Sequence, residues 1–191
     1  GELMPKRRET LTGMTGELGS AVTGSPNLNL GNATFPAGHI LNVSSTTKTD
    51  TFSHNTSTAT TITGLTVNIT PKSTSNKILI MGSISCSMGG GNSGCPLKLF
   101  RDSAEIGSGA AAGSRPVGIA DLNMQGWNQY FLDHRHVSYL DSPNTTSQVT
   151  YSFRVVSRDG TVVYINKNHN DADESYNTRG SSTIIVMEVV A

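Results

Sequence analysis

The chain has 191 residues, of which 35% are hydrophobic and only 15% charged, and its 14 basic and 14 acidic side chains cancel. A neutral chain lacks the basic footprint of a nucleic-acid binder, and no apolar run is long enough to span a bilayer as a helix. The length suits one domain with an appendage and is enough to bury a core, while the abundance of Ser, Thr, Gly and Asn suits an exposed β-protein with many turns.

The first 35 residues differ from the rest. Lys6-Arg7-Arg8 is a small cationic cluster, read as a solvated tail; no hydrophobic stretch follows it, so the start of the sequence is not read as a secretory signal. Leu11, Met14, Leu18 and Val22 then recur at helical spacing, but Gly13, Gly16 and Gly19 weaken any helix. A segment with such isolated apolar residues cannot build a core alone. It is expected to be an extended arm, residues 1–35, that orders by docking those four side chains on a partner; the alternative is a disordered tail.

From residue 36 to 191 the sequence reads as a series of β-runs. Ile40-Leu-Asn-Val43 follows the turn Pro36-Ala-Gly38. Two strands are expected to flank Gly64, from Thr58 to Thr63 and from Leu65 to Thr70; the second alternates Leu65, Val67 and Ile69 on one face. Lys77 to Cys86 is the strongest strand pattern, continuous apolar residues followed by alternation. Pro96 to Arg101 turns at Asp102-Ser103 into Ala104 to Gly107, and a loop of small residues runs from Gly107 to Gly118. Arg135 to Leu140 and Val149 to Val156 are strands. Asp159-Gly160 is a type I′ hairpin signal joining the latter to Thr161–Ile165. A polar loop over 166–181 leads to a last strand, Thr183 to Val190. Nine or ten strands with no helix between them predict an all-β fold, an antiparallel β-sandwich of jelly-roll-like topology, and exclude a parallel α/β sheet.

Candidate chemistry is sparse. In a strand, Asp133 and Arg135 share one face and His134 and His136 the other. Paired histidines can chelate a metal, but no third ligand is evident, so they are weak candidates and no cofactor is expected. The acidic run Asp171-Ala-Asp-Glu174 lacks the pattern of a calcium loop. No G-x-S-x-G elbow is present, and carboxylate pairs drawn from Asp121, Asp133 and Asp141 are what any β-protein offers, so no enzyme is expected. Trp127, Tyr130 and Tyr176 lie outside the clearest strand pattern, with the amides of Gln125, Asn128 and Gln129 close by. Rings of this kind stack on the apolar face of a pyranose while amides bond its hydroxyls; the other reading of Trp127 is a core anchor. Cys86 and Cys95 could staple a hairpin tip or remain free thiols. Five N-x-S/T sequons, at Asn32, Asn42, Asn55, Asn68 and Asn144, are read as chance in a chain so rich in Asn, Ser and Thr.

Several segments carry a family resemblance: Thr34-Phe-Pro-Ala-Gly-His-Ile-Leu41, Lys48-Thr-Asp-Thr-Phe-Ser53, Thr63-Gly-Leu-Thr-Val-Asn-Ile-Thr-Pro71, Ser75-Asn-Lys-Ile-Leu-Ile80, Phe100-Arg-Asp102, Ser138-Tyr-Leu-Asp-Ser-Pro143 and Ile185-Val-Met-Glu-Val189. In this order they resemble a C-terminal β-module of tail-fibre-like and other virion-surface proteins of tailed bacteriophages, marine and cyanobacterial ones especially. The likeness covers about residues 31 to 191. It implies a virion-located homotrimer of β-sandwich domains without shared catalytic residues. The arm would dock to another virion protein, and the loops Ser87–Gly94, Gly107–Gly118 and Asn166–Gly180 would meet a host surface polysaccharide. The arm is short and lacks shaft repeats, which leaves a capsid decoration or head-fibre protein as the alternative.

Overall fold

A computed structural model describes residues 35–90, 94–123 and 130–191. The residues proposed to dock the arm, Leu11, Met14, Leu18 and Val22, lie outside the described residues, as do Trp127, Asn128 and Gln129.

The described residues form eleven strands and no helix: β1 (Ile40–Lys48), β2 (Phe52–His54), β3 (Thr60–Ile69), β4 (Lys77–Met88), β5 (Pro96–Arg101), β6 (Ala104–Ile106), β7 (Ala120–Asp121), β8 (Asp133–Asp141), β9 (Val149–Val155), β10 (Val163–Ile165) and β11 (Ser182–Val189). They make two antiparallel sheets, as the sequence predicts. One has six strands, β1-β11-β4-β10-β2 with β8 on the far edge of β4; the other has five, β3-β9-β5-β6 with β7 also on β5. The register shows that several short strands are interrupted long ones. β11 and β10 lie end to end along one edge of β4, β1 and β2 lie end to end along β11 and β10, and β6 and β7 share the outer edge of β5. Each sheet is therefore four strand lines wide.

The core lies between the sheets. Ile78, Ile80 and Ile84 of β4 and Ile184 and Val186 of β11 face Leu65 and Val67 of β3, Leu97 and Leu99 of β5, and Tyr151, Phe153 and Val155 of β9. Burying each such side chain stabilises the fold by roughly 1.5–3 kcal/mol. Gly82 in β4 is required by this packing: a Cβ there would lie 2.5 Å from Phe153 Cζ and 2.9 Å from Val137 Cγ2. A buried polar tie also joins the sheets. Asp141 of β8 accepts two hydrogen bonds from Arg101 Nη1, at 2.8 and 3.0 Å, and one from the Tyr151 hydroxyl at 2.7 Å. Burial, then the neighbouring Asp141 charge, pushes the Tyr151 hydroxyl far above the usual tyrosine range.

Two local expectations need correction. Gly64 does not separate two strands. β3 runs through it, and the chain kinks there at φ +79° beside a register shift between Thr61 and Thr66, the signature of a bulge. Asp159-Gly160 has the positive φ values of a type I′ turn, 54° and 73°, and Thr161 N donates to Arg158 O at 3.1 Å. It closes no hairpin, however: β9 belongs to the five-stranded sheet and β10 to the six-stranded one. Turn chemistry fixes local geometry only, and Val163 and Ile165 bury fully by adding to the free edge of β4 instead. Phe52–His54, to which the sequence reading assigns no element, is β2; its short ladder on β10 continues the line of β1.

Candidate functional site

Cys86 pairs with Ile165 on one side and with Asp133 on the other, so the segment that precedes β8 and the loop that follows β10 leave the sheet at the same level, on opposite sides of β4 and just below its end at Met88. Ser87 Oγ near the end of β4 donates to Lys167 O at 2.9 Å, and in the β4–β5 connection a Cβ on Gly89 would sit 3.4 Å from His169 Nδ1 and one on Gly94 3.3 Å from Pro116 Cγ, so this connection lies against both other long loops.

Two buried asparagines organise this end. Asn166 adopts φ +62° immediately after β10. Its Nδ2 donates to Lys48 O and to Asp50 O, both at 2.9 Å, and its Oδ1 accepts from Ser182 Oγ at 2.7 Å. One side chain thus bridges the break between β1 and β2 and the start of β11. Asn168 is the second hub. Its Oδ1 accepts from Asp171 N at 2.8 Å, and its Nδ2 donates to Asn177 Oδ1 at 2.7 Å and to Tyr130 O at 3.4 Å. The loop is further closed by Asp171, which pairs with Lys167 at 3.1 Å and Arg179 at 2.7 Å.

This scaffold brings Tyr130 and Tyr176 together across 46 positions of sequence. Their ring centroids are 5.1 Å apart at 83°, an edge-to-face pair, and both stay exposed, Tyr176 by 56% and Tyr130 by 39%. Phe131 beside them is also exposed. Next to Tyr176 lies a depression of about 270 Å³ lined by Asp171, Ala172, Asp173, Glu174, Asn177 and Arg179. Aromatic rings beside amides and carboxylates can stack on a sugar and bond its hydroxyls. Tyr130 and Tyr176 are the described members of the aromatic set singled out from sequence. Asn166 and Asn168 were not visible as hubs, because nothing distinguishes a buried asparagine in the run Asn166-Lys-Asn-His-Asn170 except its neighbours in space.

The remaining candidates are placed as follows. His134 and His136 point to the outer face of β8, both exposed, with rings stacked at 6.1 Å; His134 Nδ1 is 3.4 Å from Ser83 Oγ. Asp133 and Arg135 take the opposite face and pair with each other. Burial raises the Asp133 carboxyl, but the His134 N–H and the Arg135 guanidinium outweigh it and hold the group below its usual value. Among the described residues no three His, Cys, Asp or Glu side chains converge on one metal position. Asp121 accepts from the backbone N–H groups of Cys95 and Asn123, and Asp141 is held by Arg101 and Tyr151, so Asp121, Asp133 and Asp141 each have a structural partner. Cys86 and Cys95 are free and buried; burial pushes the Cys86 thiol up to about 12.

No family model matches the chain, and no curated protein matches it.

Proposed function

We propose that this chain is a virion structural protein of a tailed bacteriophage, of the tail-fibre or receptor-binding type. Its β-sandwich is a jelly roll displayed as a homotrimer, its N-terminal arm docks to another virion protein, and its loop end attaches to a host surface polysaccharide. The ordered motifs between residues 31 and 191 support the family. The strand order supports the jelly roll: with interrupted strands merged, the lines run 1-8-3-6 in one sheet and 2-7-4-5 in the other, the order made by folding a long hairpin ribbon into two Greek keys. The observation that carries attachment is the exposed Tyr130–Tyr176 pair, held at the loop end by the buried side chain of Asn168.

A second reading, a capsid decoration or head-fibre protein without a receptor, is favoured by the way Asn168, Asn177, Asp171 and Lys167 turn their hydrogen bonds inward. Binding of the purified chain to whole bacterial cells, before and after removal of surface polysaccharide, separates the two. Saturable binding lost with the glycan is the outcome attachment requires. Binding to no infectable strain supports the decoration reading.

A further inference from the structure

The outer face of an antiparallel sheet that packs on a core with its other side is ordinarily polar, because water covers it. The outer face of the six-stranded sheet departs from this. One register row crosses all four strand lines as Val43, Met187, Leu79 and Leu140, and the adjacent row places Ile185 beside Met81. Val43, Leu140 and Met81 are 55%, 54% and 43% exposed. These two rows contain no Asp, Glu, Lys or Arg; their other members are Ser45 and Ser138. Ionisable groups appear at the margins of these rows, Lys77 at one end and His134 and His136 at the other, with Thr47, Thr183 and Ser83 in the row that His136 joins.

We infer that this face is the surface on which copies of this chain pack against one another. The inference rests on the reading of the protein as a displayed oligomer and names the interface that reading needs. Three observations select a second copy as occupant. First, a charged partner would have to be desolvated against rows that offer it no counter-charge, whereas a second copy brings the same uncharged face. Second, an apolar centre rich in Met with a polar margin is the anatomy of an interface core and its rim. Third, the two rows, four strand lines about 4.8 Å apart and about four residues of about 3.4 Å rise deep, span about 260 Å² in projection, about a third of the roughly 800 Å² per partner in a stable pairing, which leaves the polar margins of the face to supply the rim.

The test is the solution mass of the full chain at tens of micromolar, by light scattering or sedimentation. The wild type is expected at a multiple of 20.2 kDa, the Met81→Lys/Leu140→Lys variant at the monomer mass with an unchanged β-sheet spectrum, and Asn68→Lys, on the outer face of the other sheet, at the wild-type mass. If the double variant does not fold, alkylation of Leu140→Cys gives the same answer, since Cys86 and Cys95 are buried. At least tenfold slower labelling in the concentrated protein than in dilute monomer is the expected result. A monomeric wild type overturns both the interface and the oligomeric reading. An oligomer that keeps its mass in the double variant, or labels freely at position 140, overturns the interface and leaves the oligomer standing. A monomer protected at position 140 identifies an occupant from the same chain and overturns the second copy.

Discussion

On the outer face of the five-stranded sheet, the Arg154 guanidinium lies 3.7 Å over the Phe100 ring, Lys98 pairs with Glu105 at 2.7 Å, and Thr150 Oγ1 donates to Asn68 at 2.8 Å. On the outer face of the six-stranded sheet the central positions are Met187, Leu79, Ile185 and Met81, flanked by Val43 and Leu140. The inner faces of the two sheets are equally apolar and meet in one core. Ladder geometry and core packing are therefore not what distinguishes the sheets. The first pairs its charged and polar side chains with one another, Arg154 Nε excepted; the second is apolar at its centre and is the face proposed to pack on another copy. The same module can present a hydrated flank, a sticky flank and a polar end with exposed rings, each with a separate role.

The comparison holds only if the two sheets form one unit, and the largest expected effect tests that. Asp141→Ala removes the acceptor that Arg101 and Tyr151 share across the sandwich and should lower the free energy of unfolding by about 3 kcal/mol, measured by urea titration. A loss near zero would mean that the tie does not hold the sheets. Asn166→Ala leaves the carbonyls of Lys48 and Asp50 without their donor and should destabilise by about 2 kcal/mol. Because the loop over 166–181 starts there, amide exchange should rise in that loop and at residues 48–52 while the outer faces are unaffected.

Alkaline pH sharpens the view of the core next. The Cys86 thiol is raised from 9.0 to about 12 in the fold. Below pH 9 folded and unfolded chains both hold that proton, so it contributes nothing to the pH dependence. Between 9 and 12 the unfolded chain releases it and the folded one does not, so stability should fall by up to about 1.4 kcal/mol per pH unit. Tyr151, raised in the same direction from 10.0, adds to the slope above pH 10. Cys86→Ala should lower the slope between pH 9 and 10, leaving the part contributed by the Cys95 thiol, which burial also raises from 9.0; an unchanged slope would contradict the assignment. The smallest effect is on the hydrated face. Asn68→Lys should change stability by no more than about 0.5 kcal/mol.

Much of this contrast was legible in the sequence. Leu65, Val67 and Ile69 alternate with Thr66 and Asn68, the pattern of a strand with one wet face, and β3 has that face. Lys77–Met81 and Ile184–Val190 are nearly continuous apolar runs, which ordinarily mark strands covered on both sides; β4 and β11 form the middle of the apolar outer face. The strand pattern and the absence of helices follow from such alternation. The sheet joined by β10 was not legible, because Asp159-Gly160 specifies a turn and not the partner of the next strand. Nor was the site complete. Tyr130 and Tyr176 stand out as aromatics outside strands, but their pairing depends on Asn168, whose role is set by a fold that brings residues 130, 168 and 177 together.

Attachment through the loop end is most directly tested by titrating the isolated surface polysaccharide of a bound strain with wild type and Tyr176→Ala, side by side. The variant is expected to fold, with a loss of about 1 kcal/mol from the broken ring pair, and to bind at least about tenfold more weakly, equivalent to about 1.4 kcal/mol. Equal affinity of the two proteins would contradict attachment through these rings.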